Sequence, residues 1–402
     1  MTATDTHRAI EAVWKIEQAK IIAGLARIVR DVSLAEEFAQ DALIAALRRW
    51  PDEGVPRNPA AWLMAAGKRR AIDHFRRTKM LERKHGELGY DAELDQAEMP
   101  DFDTALDDDI GDDLLSLIFT ACHPVLSTQA RTALTLRLIG GLTTEEIARA
   151  FLIPESTMAQ RIVRAKRTLS EAQVPFEVPH GTDRAARLGS VLEVLYLIFN
   201  EGYLATAGDD WIRPQLAQEA MRLGRILAGL APDEPEVNGL VALMEIHASR
   251  FDARVDPAGV PILLLDQNRA RWDQLLIRRG LAALTRAESL TGTPGPYTLQ
   301  AAIAACHARA YTSEETDWKR IAALYENLTR LMPSPVVELN RAVALAMAYG
   351  PAAGLELVDL LLPEPSLQSY HLLPAIRGDL LEKLDRNDEA RTEFERAANL
   401  TR

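Results

Sequence analysis

Cysteine is nearly absent from this sequence. Cys122 and Cys306 are the only two in 402 residues, too few and too far apart for a disulfide framework or a zinc site. Both fit small core positions. No apolar run approaches the roughly 20 residues that span a bilayer. The opening MTATDTHRAIEAVWK lacks the basic-then-apolar layout of a secretory leader. The expectation is a cytoplasmic chain without membrane contact. Strand-like alternation is scarce, so the expected fold is all-α. No Gly-rich phosphate loop and no nucleophile with a positioned base occur. His247, His307 and His371 lack metal-ligand spacing. Neither catalysis nor a cofactor nor a metal is expected. What remains is an ordinary globular composition, 48% hydrophobic and 26% charged, long enough for two to four domains.

The net charge of −12 argues against a nucleic-acid partner until it is resolved along the chain. Residues 1–84 carry a net +5, residues 85–113 a net −12 without one Lys or Arg, residues 114–172 a net +3 and the remainder a net −8. Two weakly basic modules therefore flank an acidic segment, and a local basic face is what a phosphate feels.

The first module spans 6–84. Ala9–Val29 reads as an amphipathic helix. Ser33 and Glu36 have capping-box spacing and open a second helix, which Pro51 is expected to stop. Asn58-Pro59 opens a third. Along that third helix Lys68, Arg69, Arg70, Arg76, Arg77, Lys79, Arg83 and Lys84 form a basic stripe suited to phosphates. Trp62 and His74 can stack on exposed bases, although Trp62 taken alone fits a core position better. The second helix carries an acidic ridge with one apolar residue, Glu37, Gln40, Asp41 and Ile44, which suits a basic protein partner. Residues 85–108 lose periodicity and read as a flexible acidic linker.

The second module, 109–172, contains a helix-turn-helix pattern. Thr143 and Glu146 form a capping box before a short helix. A break at Leu152-Ile153-Pro154 comes next, then a helix from Glu155 to Leu169. Met158, Ile162, Ala165 and Leu169 make its buried stripe. Ser156, Thr157, Gln160, Arg161, Arg164 and Arg167 lie opposite, where a single helix can place them in a major groove.

The succession AEEFAQDALIAALRRW, NPAAWLMAAGKRRAIDHFRR and LSTQARTALTLRLIGGLTTEEIARAFLIPESTMAQRIVRAKRTL resembles regions 2 and 4 of the extracytoplasmic-function (ECF) sigma factors, over about the first 172 residues. FTACHPVLS, YLIFNEGY, GPYTLQAAIAACHA and SPVVELNRAVA resemble the subgroup with a C-terminal tetratricopeptide-like extension. The resemblance implies that Glu37, Gln40, Asp41 and Ile44 dock on the β′ coiled coil of core RNA polymerase. It implies that Trp62, Lys68, Arg69, Arg70, His74, Arg76 and Arg77 capture the promoter −10 element. Ser156, Thr157, Gln160, Arg161, Arg164 and Arg167 would read the −35 element, with region 4 also meeting the β flap. Two departures touch promoter sequence: Arg69 stands where many such factors carry asparagine, and Leu152 where the turn commonly has glycine.

Residues 183–402 are helical in pattern, with breaks at prolines and glycines such as Pro257-Gly259 and Gly292-Pro296. Within 302–402, Ala342, Leu345, Gly354, Val358 and Leu361 share offsets with Gly378, Leu381, Ala390, Phe394 and Ala397, as in tetratricopeptide repeats. Such repeats hold a protein or a ligand. Asn200–Tyr203 and Asp266–Asp273 gather polar groups, as a pocket or as buried joints between helices. The acidic balance of this half, beside two basic modules, suggests that it regulates them in place of a separate anti-sigma protein. The alternative is a helix-turn-helix regulator with a sensing repeat domain; a scaffold is a third reading.

Overall fold

The computed structural model describes residues 3–86, 110–151, 153–203, 214–256, 260–290 and 292–400. The fold is all-α, with no strand among the described residues. It divides into two compact units, residues 1–223 and 224–402. The expected linker 85–108 lies outside the described residues beyond Gly86. Leu152 and the break at Pro257-Gly259 also lie outside them.

Unit 1 begins with a bundle of α1 (Ala3–Val29), α2 (Val32–Glu53) and α3 (Pro59–Gly86). Ile21, Ile22, Leu25, Phe38, Trp50 and Leu63 fill its core. Two sequence expectations for α2 are corrected. Asp31, not Ser33, is its N-cap, accepting from the Leu34 amide at 2.9 Å. Asp31 has the extended backbone that a cap requires, whereas Ser33 is already helical. Pro51 does not stop the helix either. It sits in the last turn, and Gly54, at φ +83°, makes the exit while donating to the Trp50 carbonyl.

Then come α4 (Ile110–Ala121), α5 (Thr128–Leu138), α6 (Thr144–Ala150), α7 (Glu155–Glu171) and α8 (Gly181–Tyr203). Helix α4 packs along α1, and Arg27 pairs with Asp113 at 3.3 Å. Helix α8 covers α4 and α5. Ser190 donates to the Cys122 carbonyl at 2.7 Å, Arg187 donates to the Phe119 carbonyl at 3.1 Å, and Glu193 pairs with Arg131 at 3.2 Å. Cys122 is buried beside the Thr135 hydroxyl, and burial pushes its thiol up to about 11, as suits a core residue. Helix α9 (Pro214–Leu230) starts in this unit.

Unit 2 stacks consecutive helices, α10 (Pro235–Ala248), α11 (Gln274–Leu290), α12 (Pro296–Arg309), α13 (Trp318–Leu331), α14 (Pro335–Tyr349), α15 (Pro351–Leu361), α16 (Leu372–Glu382) and α17 (Asn387–Leu400). Four of these open on proline, whose missing N–H costs nothing in a first turn. The polar run Asp266–Asp273 is a joint. Arg269 donates to the carbonyls of His307 (2.6 Å) and Ala310 (2.9 Å) and to Thr316 (3.1 Å), and lies over Trp272 at 5.0 Å. Asn200–Tyr203 continues α8 without a break, with Phe199 and Tyr203 stacked. His247 and His307, far apart in sequence, share this cationic neighbourhood with Arg250 and Arg269. Burial, aided by the two arginines, holds the His307 imidazole down at about 4.

At the α14–α15 crossing a Cβ on Gly354 would lie 2.5 Å from the Ala346 methyl and 2.7 Å from the Ala342 carbonyl. Gly354→Ala should therefore lower stability by about 1–3 kcal/mol in urea unfolding. His307 is harder to protonate folded than unfolded. Its stabilisation is complete above about pH 6.5 and is lost as pH falls towards 4. By pH 5 the loss should reach about 2 kcal/mol, read as faster hydrogen exchange in α10 and α12, and His307→Gln should flatten that dependence.

Candidate nucleic-acid interface

The helix-turn-helix is assembled by local chemistry. The Thr143 hydroxyl accepts from the Glu146 amide at 3.1 Å, and the Glu146 carboxylate accepts from the Thr143 amide at 2.7 Å, closing the capping box. Pro154 precedes α7, and its carbonyl accepts from the Thr157 and Met158 amides. Met158, Ile162, Ala165 and Leu169 are buried against α5 and α6. Ser156, Thr157, Gln160, Arg164 and Arg167 are exposed, and Arg161 is half-buried. Thr157, Gln160, Arg161 and Arg164 form one wall of a shallow groove, with Leu126, Ser127 and Ala130 on the other. Arg167 is tied along the helix to Glu171 at 2.6 Å, an exposed pair that a phosphate can displace at little cost.

On α3, Arg69, Arg70, Arg76, Arg77 and His74 are exposed. Lys68 departs from the expected stripe. It is 8% exposed and lies beside Gly67, whose lack of a side chain brings Leu25 and Phe38 close to α3. The helical period carries position 68 onto the flank of the buried Leu63, Gly67 and Ala71 row. The side chains of Lys79, Arg83 and Lys84 lie outside the described residues. Trp62 is half-buried with its ring edge-on to Trp50 at 5.3 Å. It therefore serves the core while keeping part of its surface open. His74 stands edge-on to Phe38 at 5.5 Å.

The ridge on α2 holds together as a surface. Glu37, Gln40 and Ile44 are exposed and Asp41 is half-buried, paired with Arg70 at 3.6 Å. The residue that sequence reasoning misses is Glu36. Its spacing from Ser33 reads as a cap, yet it is 3% exposed and serves partners outside its own helix terminus. Its carboxylate accepts from Arg137 Nε at 2.8 Å and from Gln40 Nε2 at 3.0 Å, and pairs with Lys166 Nζ. Arg137 lies on α5 and Lys166 on α7, so Glu36 joins the first bundle to the helix-turn-helix. The two modules, which flank the acidic segment in sequence, pack together within unit 1. No local pattern around Glu36 signals partners so distant along the chain; only its burial reveals them.

Three segments match known families. Residues 16–80 match sigma-70 region 2, residues 116–169 match sigma-70 region 4, and residues 187–288 match a family of unknown function (DUF6596). An uncharacterized protein of Rhizobium meliloti (strain 1021) is 44% identical over 381 residues, covering 94% of this chain and 88% of that protein. The ECF RNA polymerase sigma factor SigK of Mycobacterium ulcerans is 28% identical over 146 residues, 36% of this chain and 75% of its own. The RNA polymerase sigma-H factor of Pseudomonas aeruginosa is 29% identical over 174 residues, 42% and 88%. Among the described residues no helix is long and apolar enough to cross a membrane, and no group of three His, Cys, Asp or Glu could hold a metal. The chain belongs to one family with the Rhizobium protein, and it carries sigma-70 regions 2 and 4, the parts of a sigma factor concerned with promoter recognition by RNA polymerase, joined to a helical DUF6596 segment.

Proposed function

We propose that the protein is an ECF-type sigma factor that binds core RNA polymerase and directs it to promoters. The modules are 6–84 for the −10 element and 109–172 for the −35 element, with 183–402 as a helical extension that governs them. The observation that carries this reading is the division of labour on α7. One face is buried in the helix-turn-helix core, and Gln160, Arg161 and Arg164 stand on a groove wall where duplex edges can reach them. Exposed Arg69, Arg70, Arg76 and Arg77 on α3, with the partly open Trp62, support capture of melted strand through phosphates and stacking. Lys68 contributes to that helix from a buried position. The ridge Glu37, Gln40, Asp41 and Ile44 supports docking on a basic coiled coil of β′, and region 4 docks on the β flap.

The extension is proposed as a repeat-built regulator that receives a protein or a ligand. Close crossings at Gly354 and Gly378, the latter against the Phe394 ring, support tetratricopeptide-like pairing. A working site in the cytoplasm is the corollary of the polymerase partner.

Run-off transcription with core polymerase tests the reading. Promoter-specific transcripts support it. Operator binding without core, and no transcripts, favours a helix-turn-helix repressor or activator instead. Arg161→Ala with Arg164→Ala should cut promoter-dependent transcription at least ten-fold, since each base contact is worth about 1–3 kcal/mol, while leaving core binding intact. Regulation is tested by ending the chain after Tyr203, which keeps α8 on α4 and α5. Transcription should then differ in strength or inducibility from the full chain; equality in both overturns the regulatory role.

A further inference from the structure

We propose that the segment of unknown function supplies a positioning residue for promoter reading. Ser190 of α8, assisted by Glu193 one turn on, fixes the turn between α4 and α5 that forms the second wall of the α7 groove. The inference rests on the sigma-factor reading and deepens it, because it gives the extension a part in reading the −35 element. The turn runs from Cys122 to Ser127. Its Val125, Leu126 and Ser127, with Ala130 just beyond, stand across the groove from Gln160, Arg161 and Arg164. Its own bonds are local. The Leu126 amide donates to the His123 carbonyl at 3.0 Å, the Val125 amide to the His123 ring at 3.2 Å, and Ser127 caps α5 by accepting from the Ala130 amide at 3.3 Å. Between Cys122 and Ser127 only Leu126 is buried, and Val125 is 44% exposed. A wall with so little core of its own takes its position from the groups that hold its ends.

One hydroxyl holds both ends. Ser190 donates to the Cys122 carbonyl at 2.7 Å, where the turn begins, and accepts from Arg131 Nη1, one turn into α5. Arg131 reaches back to Thr128 Oγ1 at 2.9 Å in the first turn of α5 and pairs with Glu193 at 3.2 Å. Ser190 and Arg131 are both buried, where water does not replace a lost partner. Glu193 is half-exposed, so its pair with Arg131 is the weaker of the two grips. Arg187, one turn earlier on the same side of α8, donates to the Phe119 carbonyl at 3.1 Å and lies over the Phe119 ring at 5.8 Å, which sets the register of α8 on α4. All three α8 residues lie outside the region 4 match, 116–169, and inside the match to the family of unknown function, 187–288. The groove wall therefore draws its support from the extension.

Two measurements on the full-length chain test this. For the first, spin labels go on cysteines introduced at the exposed Val125 in the turn and Ala172 after α7; Cys122 and Cys306 are buried. Without DNA the chain should give one narrow distance distribution, and Ser190→Ala should broaden it. The second measurement, on unlabelled chain bound to core polymerase, uses a duplex enriched from a random-sequence library by the unaltered chain with core. Ser190→Ala should raise the Kd for that duplex by about five-fold or more, the size of one lost base contact, while the affinity for core stays the same. Ser190→Thr keeps the hydroxyl and should bind as the unaltered chain does. Glu193→Gln should move both readouts in the same direction by less, and it decides the matter should Ser190→Ala fail to fold. If Ser190 only stabilised region 4, the variants would melt at lower temperature yet keep narrow distances and an unchanged Kd while folded. Either of those two results in folded Ser190→Ala and Glu193→Gln overturns the positioning role. A library from which the unaltered chain with core enriches no duplex overturns the promoter-recognition reading instead, which keeps the two failures distinguishable.

Discussion

A carboxylate taken out of water must be met by positive charge, and in unit 1 that requirement falls on Glu36. At 3% exposure it has no solvent to rely on. An unpaired charge there would cost several kcal/mol. Arg137 from α5 and Lys166 from α7 supply the counter-charge, and Gln40 from the next turn of α2 completes the set. Glu36 thereby ties the helix-turn-helix to the first bundle, together with Gln18, which donates to the Arg137 carbonyl, and Ser170, which donates to Asp31. A second seam, along α1 and α4, runs beside it through Arg27 and Asp113.

The same logic divides α7 among three tasks. A helix of 3.6 residues per turn can show different chemistry every 100° or so. Met158, Ile162, Ala165 and Leu169 satisfy the core. Gln160, Arg161 and Arg164 face the groove beside Ser127 and Ala130. Lys166 faces α2. Less than two turns separate a side chain proposed to read a promoter from one that pairs with Glu36 of α2. The stripe proposed for nucleic-acid recognition and the stripe that packs against α2 are thus adjacent on one helix.

How much of this is legible in the sequence depends on whether the cause is local. The Thr143–Glu146 box and the α7 stripe are set within a few residues, and both can be read from spacing. Ser33–Glu36 has the same spacing and misleads, because Asp31 supplies a better-placed oxygen two positions earlier and a distant pair of cations recruits Glu36. Lys68 belongs to a basic run by composition, yet it is buried next to Gly67, where Leu25 and Phe38 come close to α3. Pro51 has the look of a stop, yet it sits inside α2, which forgoes the amide bond to the Leu47 carbonyl there, and Gly54 makes the actual exit. The meeting of His247 with Arg250, Arg269 and His307 depends on how α10 packs on α12, which no local pattern encodes.

The attachment of the extension to the sigma-like part is also a matter of buried polar groups. The segment matching the family of unknown function begins at residue 187, within α8. That helix is no appendage. Arg187 and Ser190 satisfy the carbonyls of Phe119 and Cys122 at the end of α4, and Ser190 also accepts from Arg131 of α5. Removing α8 would strand those groups and uncover the α4–α5 surface, at a cost of about 1–3 kcal/mol for each buried group left unpaired. A region 4 that requires α8 for its own stability cannot lose the extension by simple separation at the family boundary. Helix α5, to which α8 is bonded, also packs against α7. The physical link between the segment of unknown function and α7 therefore runs through α8 and α5, by hydrogen bonds already present in unit 1.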